Sequence, residues 1–255
     1  MTQQTGLVTD EHLHQFHTNG YFVLESVLSD EDLEGLRNEC TRFITDINAE
    51  MDARGVTTWG ISHRDKRYFI GNRHHESTIL TNFLFGDLMA EVSRAVLGDY
   101  VYLFNEQYVV KMAEVGMKFA WHQDSGYIGY DHKPYLSCWC ALDDMSEENG
   151  TVHLLPFDRA GGKHRRDHVQ EEGTNDMVGY HGDDPGEPAV IPAGSVAVFS
   201  STTFHRSGAN TTNDPRRVFL AQYSGYPILT QDGSQLWGHA EHFWYNGERR
   251  RYPNS

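Results

Sequence analysis

The sequence predicts a β-sandwich or jelly roll with helices packed on one side. Two observations predict it. The first third reads helical, and from about residue 100 short β-rich runs alternate with turn residues. With no internal repeat or interdomain linker, the 255 residues read as one domain. Residues 1–98 form a mostly helical N-terminal part, 99–228 the β core and 229–255 a C-terminal extension.

Thr9-Asp10-Glu11 starts a helix that Gly20 ends, and Tyr21-Phe22-Val23-Leu24 is a short apolar strand. Ser29-Asp30 opens a second helix. Its Leu33, Leu36, Cys40, Phe43 and Ile44 recur at spacings of three and four, which predicts one buried face. A third helix is expected over residues 78–96. Strands follow in YVYLFNEQYVVKM, PYLSCWCAL, TVHLLP, PAVIP, SVAVFSS and RRVFLAQYSGY, separated by turns such as Glu148-Asn149-Gly150 and Pro192-Ala193-Gly194. Residues 158–187 are polar and charged, and a loop of that length predicts an active-site flap.

Composition excludes several function classes. Net charge is −15, so a duplex nucleic-acid binder or a ligand of anionic membranes is not expected. Cys40, Cys138 and Cys140 make neither a disulfide framework nor a four-thiolate zinc site; Cys138 and Cys140, two apart, read as small core residues on one strand face. The first 30 residues show no signal peptide, and no stretch approaches 18 apolar residues. A soluble cytoplasmic protein is expected, with a small-molecule partner and an oligomeric state the sequence leaves open.

Most of the 15 histidines sort into bland roles. His12, His14 and His17 lie on a polar helix face. His164 and His168 lack an obvious third ligand. His74-His75 point apart if extended, and His239-Ala-Glu-His242 has its Glu in the wrong place for a helical zinc-protease pattern. Trp121-His122-Gln123-Asp124 differs. In extended backbone His122 and Asp124 face the same way and can offer an imidazole and a carboxylate to one metal. The best third ligand is His205, ending the run from Ser195. Two His and one carboxylate form the facial triad of non-heme Fe(II) oxygenases. Alone, the pair is a weak signal, and a strand-end His hydrogen-bonded to an Asp explains it more readily. Eleven residues beyond His205, Arg216 opens the next strand, where a buried Arg could clamp the carboxylate of a keto-acid co-substrate.

With these residues in place, the sequence resembles the phytanoyl-CoA dioxygenase family of Fe(II)/2-oxoglutarate oxygenases, which includes ectoine hydroxylase. The resemblance runs from Asn19-Gly-Tyr-Phe-Val-Leu through the C-terminal strand. It is carried by Trp121-His-Gln-Asp124, Trp139-Cys-Ala-Leu-Asp-Asp144, Glu148-Asn-Gly150, His205-Arg-Ser-Gly208 and Arg216. It implies a double-stranded β-helix core, iron on His122, Asp124 and His205, and 2-oxoglutarate on Arg216. Ser207 matches a co-substrate contact and Trp139 the aromatic beside it, while Lys111 and Asn105 match polar pocket positions. O₂ is the other implied co-substrate, with succinate and CO₂ released. Where the family continues after Glu-Asn-Gly to Pro-Gly-Ser-His, this chain has Pro156-Phe157-Asp158-Arg159, so substrate identity does not carry over. The retained Asp124 favours hydroxylation over halogenation.

For the substrate, residues 59–75 carry Arg64, Lys66, Arg67 and Arg73, where the chain average gives about 1.4 basic residues. This reads as a patch for a phosphonate, carboxylate or CoA group, with Arg67 and Arg73 as contacts, or as a loop paired with acidic neighbours. Trp59, Tyr127 and Tyr130 are expected aromatic walls. The expected enzyme is an Fe(II)/2-oxoglutarate dioxygenase hydroxylating a small molecule. Desaturation, epimerisation or cyclisation begin with the same hydrogen abstraction. A non-catalytic metabolite- or metal-binding β-helix protein is the reading of another class, and a cupin-type dioxygenase without co-substrate is a third.

Overall fold

The computed structural model describes residues 6–113, 117–172 and 176–250. The expected flap and C-terminal extension therefore lie partly outside the described residues. Helix α1 (Asp10–Asn19) starts at Thr9, whose hydroxyl accepts from His12 N while the His12 ring accepts from Thr9 N; it stops at Gly20, whose φ of 94° suits a residue without Cβ. After β1 (Tyr21–Leu24), Ser29 caps the long α2 (Asp30–Arg54). Short strands β2 (Thr58–Trp59) and β3 (Ser62–His63) lead to β4 (Arg67–Gly71) and a 3₁₀ turn, His74–Glu76. The expected third helix is two, α3 (Thr78–Leu84) and α4 (Asp87–Leu97). Gly86 breaks it: a Cβ there would lie 2.7 Å from the Asn82 carbonyl oxygen, and Gly86 serves as the N-cap of α4.

The remaining strands are β5 (Val101–Lys111), β6 (Phe119–His122), β7 (Leu136–Ala141), β8 (Val152–Leu155), β9 (Val169–Gln170), β10 (Met177–Val178), β11 (Glu187–Pro188), β12 (Val196–Ser200), β13 (Phe204–Ser207), β14 (Arg216–Ser224), β15 (Glu241–Tyr245) and β16 (Glu248–Arg249). The large sheet runs β1-β12-β7-β14-β5-β4-β3-β2, with β15 also on β5. A four-stranded sheet runs β11-β8-β13-β6, and β9 pairs β10. The expected double-stranded β-helix is corrected here. The fold is mixed α/β with several sheets, and among the described residues none closes on itself: β1 and β2 remain edges of one sheet, β11 and β6 of another. Strand periodicity reports how many strands form and which faces are apolar. It carries no information on whether the last strand hydrogen-bonds to the first. The run PAVIP also forms less than expected, contributing only Pro188 to β11.

Alternation along the strands sorts two cores. Cys138, Cys140, Phe219, Ala221 and Tyr223 face α2–α4 with Leu36, Phe43 and Tyr108. Trp139, Ala141, Val218, Leu220, Ala197 and Phe199 face the small sheet with Val152 and Leu154. All three cysteines are buried and free. The functional residues sit in this second interior, where Arg216 and Gln222 share the parity of Val218 and Leu220.

Candidate active site

His122 ends β6 and His205 lies directly opposite it on β13, with ring centroids 4.1 Å apart. Gln123 remains extended (φ −107°, ψ 140°), so Asp124, first residue of a 3₁₀ turn, returns to the side of His122. Asp124 Oδ1 is 3.9 Å from His122 Nε2 and 3.5 Å from His205 Nε2, and the three ligand atoms all lie within 4.8 Å of one another. His122 Nδ1 donates to the Ala120 carbonyl at 2.8 Å and His205 Nδ1 to that of Thr203 at 3.0 Å. A carbonyl only accepts, so each Nδ1 carries a hydrogen and each ring turns its Nε2 toward the third ligand. Burial, then neighbouring His205, pushes His122 well below its ordinary pKa, which keeps the ring neutral. Two imidazoles and a carboxylate converging on one point form a facial-triad-like metal site.

Asp124 is itself held. Its Oδ2 accepts from Ser137 Oγ at 2.6 Å and from Gln222 Nε2 at 2.9 Å. Sequence reading missed both. Gln222 was findable: it is the single amide in the apolar run of β14, six residues from Arg216 and so on the same face. Gln222→Leu is expected to weaken Fe(II) binding about 10–100-fold, the usual cost of an outer partner, measured by metal titration under anaerobic conditions.

Beside the triad lies a cavity of about 70 Å³ with His122, Asp124, His205, Trp139, Ser207, Lys111, Arg67 and Arg216 in its walls. Three of its cations form a row across adjacent strands, because Lys111 pairs in register with both Arg67 and Arg216. All three are buried, at 2%, 3% and 2% exposure for Arg67, Lys111 and Arg216. Arg67 is neutralised by a bidentate pair with Asp176, at 2.9 and 2.7 Å. Lys111 and Arg216 have no ion-pair partner among the described residues. Lys111 Nζ donates to the Gly208 carbonyl. Arg216 donates to the carbonyls of Val109 (3.3 Å) and Gly150 (3.1 Å), and its Nε has no partner. Gly150 is required there: at φ 74° a Cβ would lie 2.5 Å from the Gly208 carbonyl oxygen. Burial, then Arg216 and Arg67, lowers the Lys111 amine to about 6, and burial lowers Arg216 to about 10. Like charges side by side in an interior are destabilising unless an anion joins them.

A second cavity, about 210 Å³, shares His122 and Asp124 with the first. Asn105, Gln107, Gln222, Phe69, Phe104, Phe119, Tyr127, Tyr135 and Trp237 line it. Asn105 sits here, donating to Gln222 Oε1 at 2.9 Å, rather than beside Arg216. Tyr127 is here too, but Trp59, Tyr130 and Arg73 line neither cavity. Arg73 pairs with Glu50 and Glu76, and Arg64 with Asp52. Trp59 lies under Arg54 at 4.2 Å, and Tyr130 donates to the Leu229 carbonyl. The basic segment is thus mostly paired with acidic neighbours, and of its described basic residues only Arg67 lines either of these two cavities. The partner that neutralises it, Asp176, comes from the polar stretch 158–187 and left no signal in the sequence.

A 2-His-1-carboxylate cluster beside a buried basic cavity is consistent with the Fe(II)/2-oxoglutarate oxygenase class. Residues 16–218 match the family described as phytanoyl-CoA dioxygenase (PhyH), and the chain belongs to that family. It is similar to the ectoine dioxygenase of Bordetella bronchiseptica (28% identity over 233 residues, 84% of this chain and 75% of the relative). It is also similar to the methylphosphonate hydroxylase of Gimesia maris (25% over 222 residues, 85% and 81%). Its fold resembles that of EctD from S. alaskensis, solved with 2-oxoglutarate and 5-hydroxyectoine (TM-score 0.69, 21% identity, 100% of this chain and 92% of that one). Among the described residues, no helix is long and apolar enough to cross a membrane.

Proposed function

We propose that this chain is an Fe(II)- and 2-oxoglutarate-dependent hydroxylase of a small molecule. The observation that carries the reading is the placement of two buried basic side chains without an ion-pair partner among the described residues, Lys111 and Arg216, beside the His122, Asp124 and His205 cluster. In this reading the triad holds iron by three ligands and leaves the other positions open. Arg216 and Lys111 bind the far carboxylate of 2-oxoglutarate, with Ser207 and Trp139 beside it. When bound, iron, 2-oxoglutarate and O₂ supply the oxidising power for C–H cleavage, with succinate and CO₂ as co-products. Ser137 and Gln222 orient Asp124, and the aromatic walls keep water from the reacting face.

The second cavity is the proposed substrate chamber. Its amides and rings would recognise an uncharged polar compound by hydrogen bonds and stacking, for no Arg or Lys lines it among the described residues. The methylphosphonate relative acts on an anion, but a phosphonate here would lack a cation. The test is anaerobic reconstitution with Fe(II) and 2-oxoglutarate, followed by O₂ and a compound screen. Succinate release coupled to a product that gains one oxygen atom is the expected result. A product that loses two hydrogens instead would replace hydroxylation by desaturation or cyclisation. Turnover confined to phosphonates or carboxylates would overturn the substrate class.

Lys111 also sets a pH dependence. The unfolded chain holds its proton to the ordinary 10.5, whereas the folded amine releases it near 6. Between these values the unfolded state binds more protons, so this group makes stability rise with pH across that window. Lys111→Met should therefore flatten the rise of Tm with pH measured from pH 6.5 to 8.5. An unchanged slope would count against the buried amine.

A further inference from the structure

A second cluster of metal-ligating side chains lies on the other face of β5. The chain segments that form it are far apart in sequence: His74 and His75 in the 3₁₀ turn, Glu106 on β5, His239 before β15, and Glu241 on it. His74 and His75 do not point apart; their ring centroids are 3.8 Å apart because the backbone is a turn and not a strand. His74 Nε2 is 2.7 Å and His75 Nε2 3.3 Å from Glu241 Oε1, and the three ligand atoms lie within 4.8 Å of one another. His239 Nδ1 approaches the same oxygen at 3.9 Å.

We propose that His74, His75 and Glu241 bind a divalent cation of the zinc class, with the fourth position filled by water or by His239 moving inward. The donor set is imidazole and carboxylate without thiolate, which zinc accepts in four-coordinate sites. Tetrahedral zinc at about 2.05 Å from its ligands places them roughly 3.3 Å apart, the separation of His75 and Glu241; the closer His74 opens by about half an ångström.

The surrounding partners are those of a metal site. His74 Nδ1 lies 3.3 Å from Glu106 Oε1, on a carboxylate that is fully buried and whose Oε2 has no partner. A carboxylate behind a ligating imidazole fixes the ring and raises its basicity. Asn72, in left-handed backbone at φ 62°, accepts from His239 Nε2 at 2.7 Å, which leaves Nδ1 bare toward Glu241. His75 is 67% exposed on its side chain, so the site has an entry path. A bound ion would tie the turn after β4 to the segment that carries Trp237, a wall of the second cavity.

The test uses the full chain with His122→Ala and His205→Ala, which leaves this cluster as the site under study. After chelation and dialysis, Zn²⁺ alone is titrated by calorimetry and Co²⁺ alone by its visible ligand-field absorption. The expected result is one equivalent with four-coordinate Co²⁺ bands. Adding His75→Ala or Glu241→Gln should weaken binding more than 100-fold, and Glu106→Gln about 10–100-fold. His75→Ala removes an exposed side chain, so it tests the proposal even where the Glu106 variant fails to fold. Absence of binding, or binding that His75→Ala and Glu241→Gln leave unchanged, would overturn it. His74 would then be a protonated bridge between Glu106 and Glu241.

Discussion

Asp124→Ala is expected to abolish turnover and reduce bound Fe(II) from about one per chain to none under the same conditions. The carboxylate is the one anionic ligand of the cluster, and no other acidic side chain joins that cluster among the described residues. Removing it leaves two imidazoles to balance a divalent charge and strands the Ser137 hydroxyl and Gln222 amide that it accepted from. Outer partners of metal ligands cost about 10–100-fold, so loss of a ligand should exceed that range. His122→Ala and His205→Ala should behave alike, because each removes one of the two Nε2 donors. Iron analysis after anaerobic loading and succinate release together read the effect. Full activity in Asp124→Ala would remove the basis for the metal assignment.

The second large effect separates two neighbouring arginines. Arg216→Gln, or Arg216→Lys, is expected to raise the 2-oxoglutarate KM ten-fold or more. Loss of a charge-assisted hydrogen bond to a carboxylate costs roughly 1.5–3 kcal/mol, or about 10–150-fold. A lysine would keep the charge but not the planar fork. Arg217 faces the other way and is already paired, with Nη2 2.6 Å and Nε 3.1 Å from Asp143. Arg217→Gln should therefore change the same KM less than about three-fold, in line with the small worth of partly exposed pairs. Titration of 2-oxoglutarate at saturating substrate distinguishes the two. Equal indifference to both changes would place the co-substrate clamp elsewhere.

Helix starts at Thr9 and Ser29, the stop at Gly20 and the apolar face of α2 were legible in the sequence because capping and periodicity are local. His122 and Asp124 were legible for the same reason, since an extended Gln123 sets their shared direction. The split at Gly86 was not, for it depends on the crowding of one Cβ against the Asn82 carbonyl. Nor was the openness of the sheets, which is a matter of edge pairing between strands far apart in the chain.

The sequence by itself singled out His122, Asp124 and His205, which the fold brings together, and the arginine that follows them. Only the tertiary structure decided where the other charges went. Arg67 and Arg73 are both basic and six residues apart, yet one stands in register with Lys111 inside the cavity while the other pairs with Glu50 and Glu76 outside it. His74-His75 and His239-x-x-His242 each carry no site alone, and they meet because β15 lies on β5. The reason is physical: ligand sets and ion pairs are decided by distances of 3–4 Å between side chains, and strand register, which sets those distances, is a property of the assembled sheet.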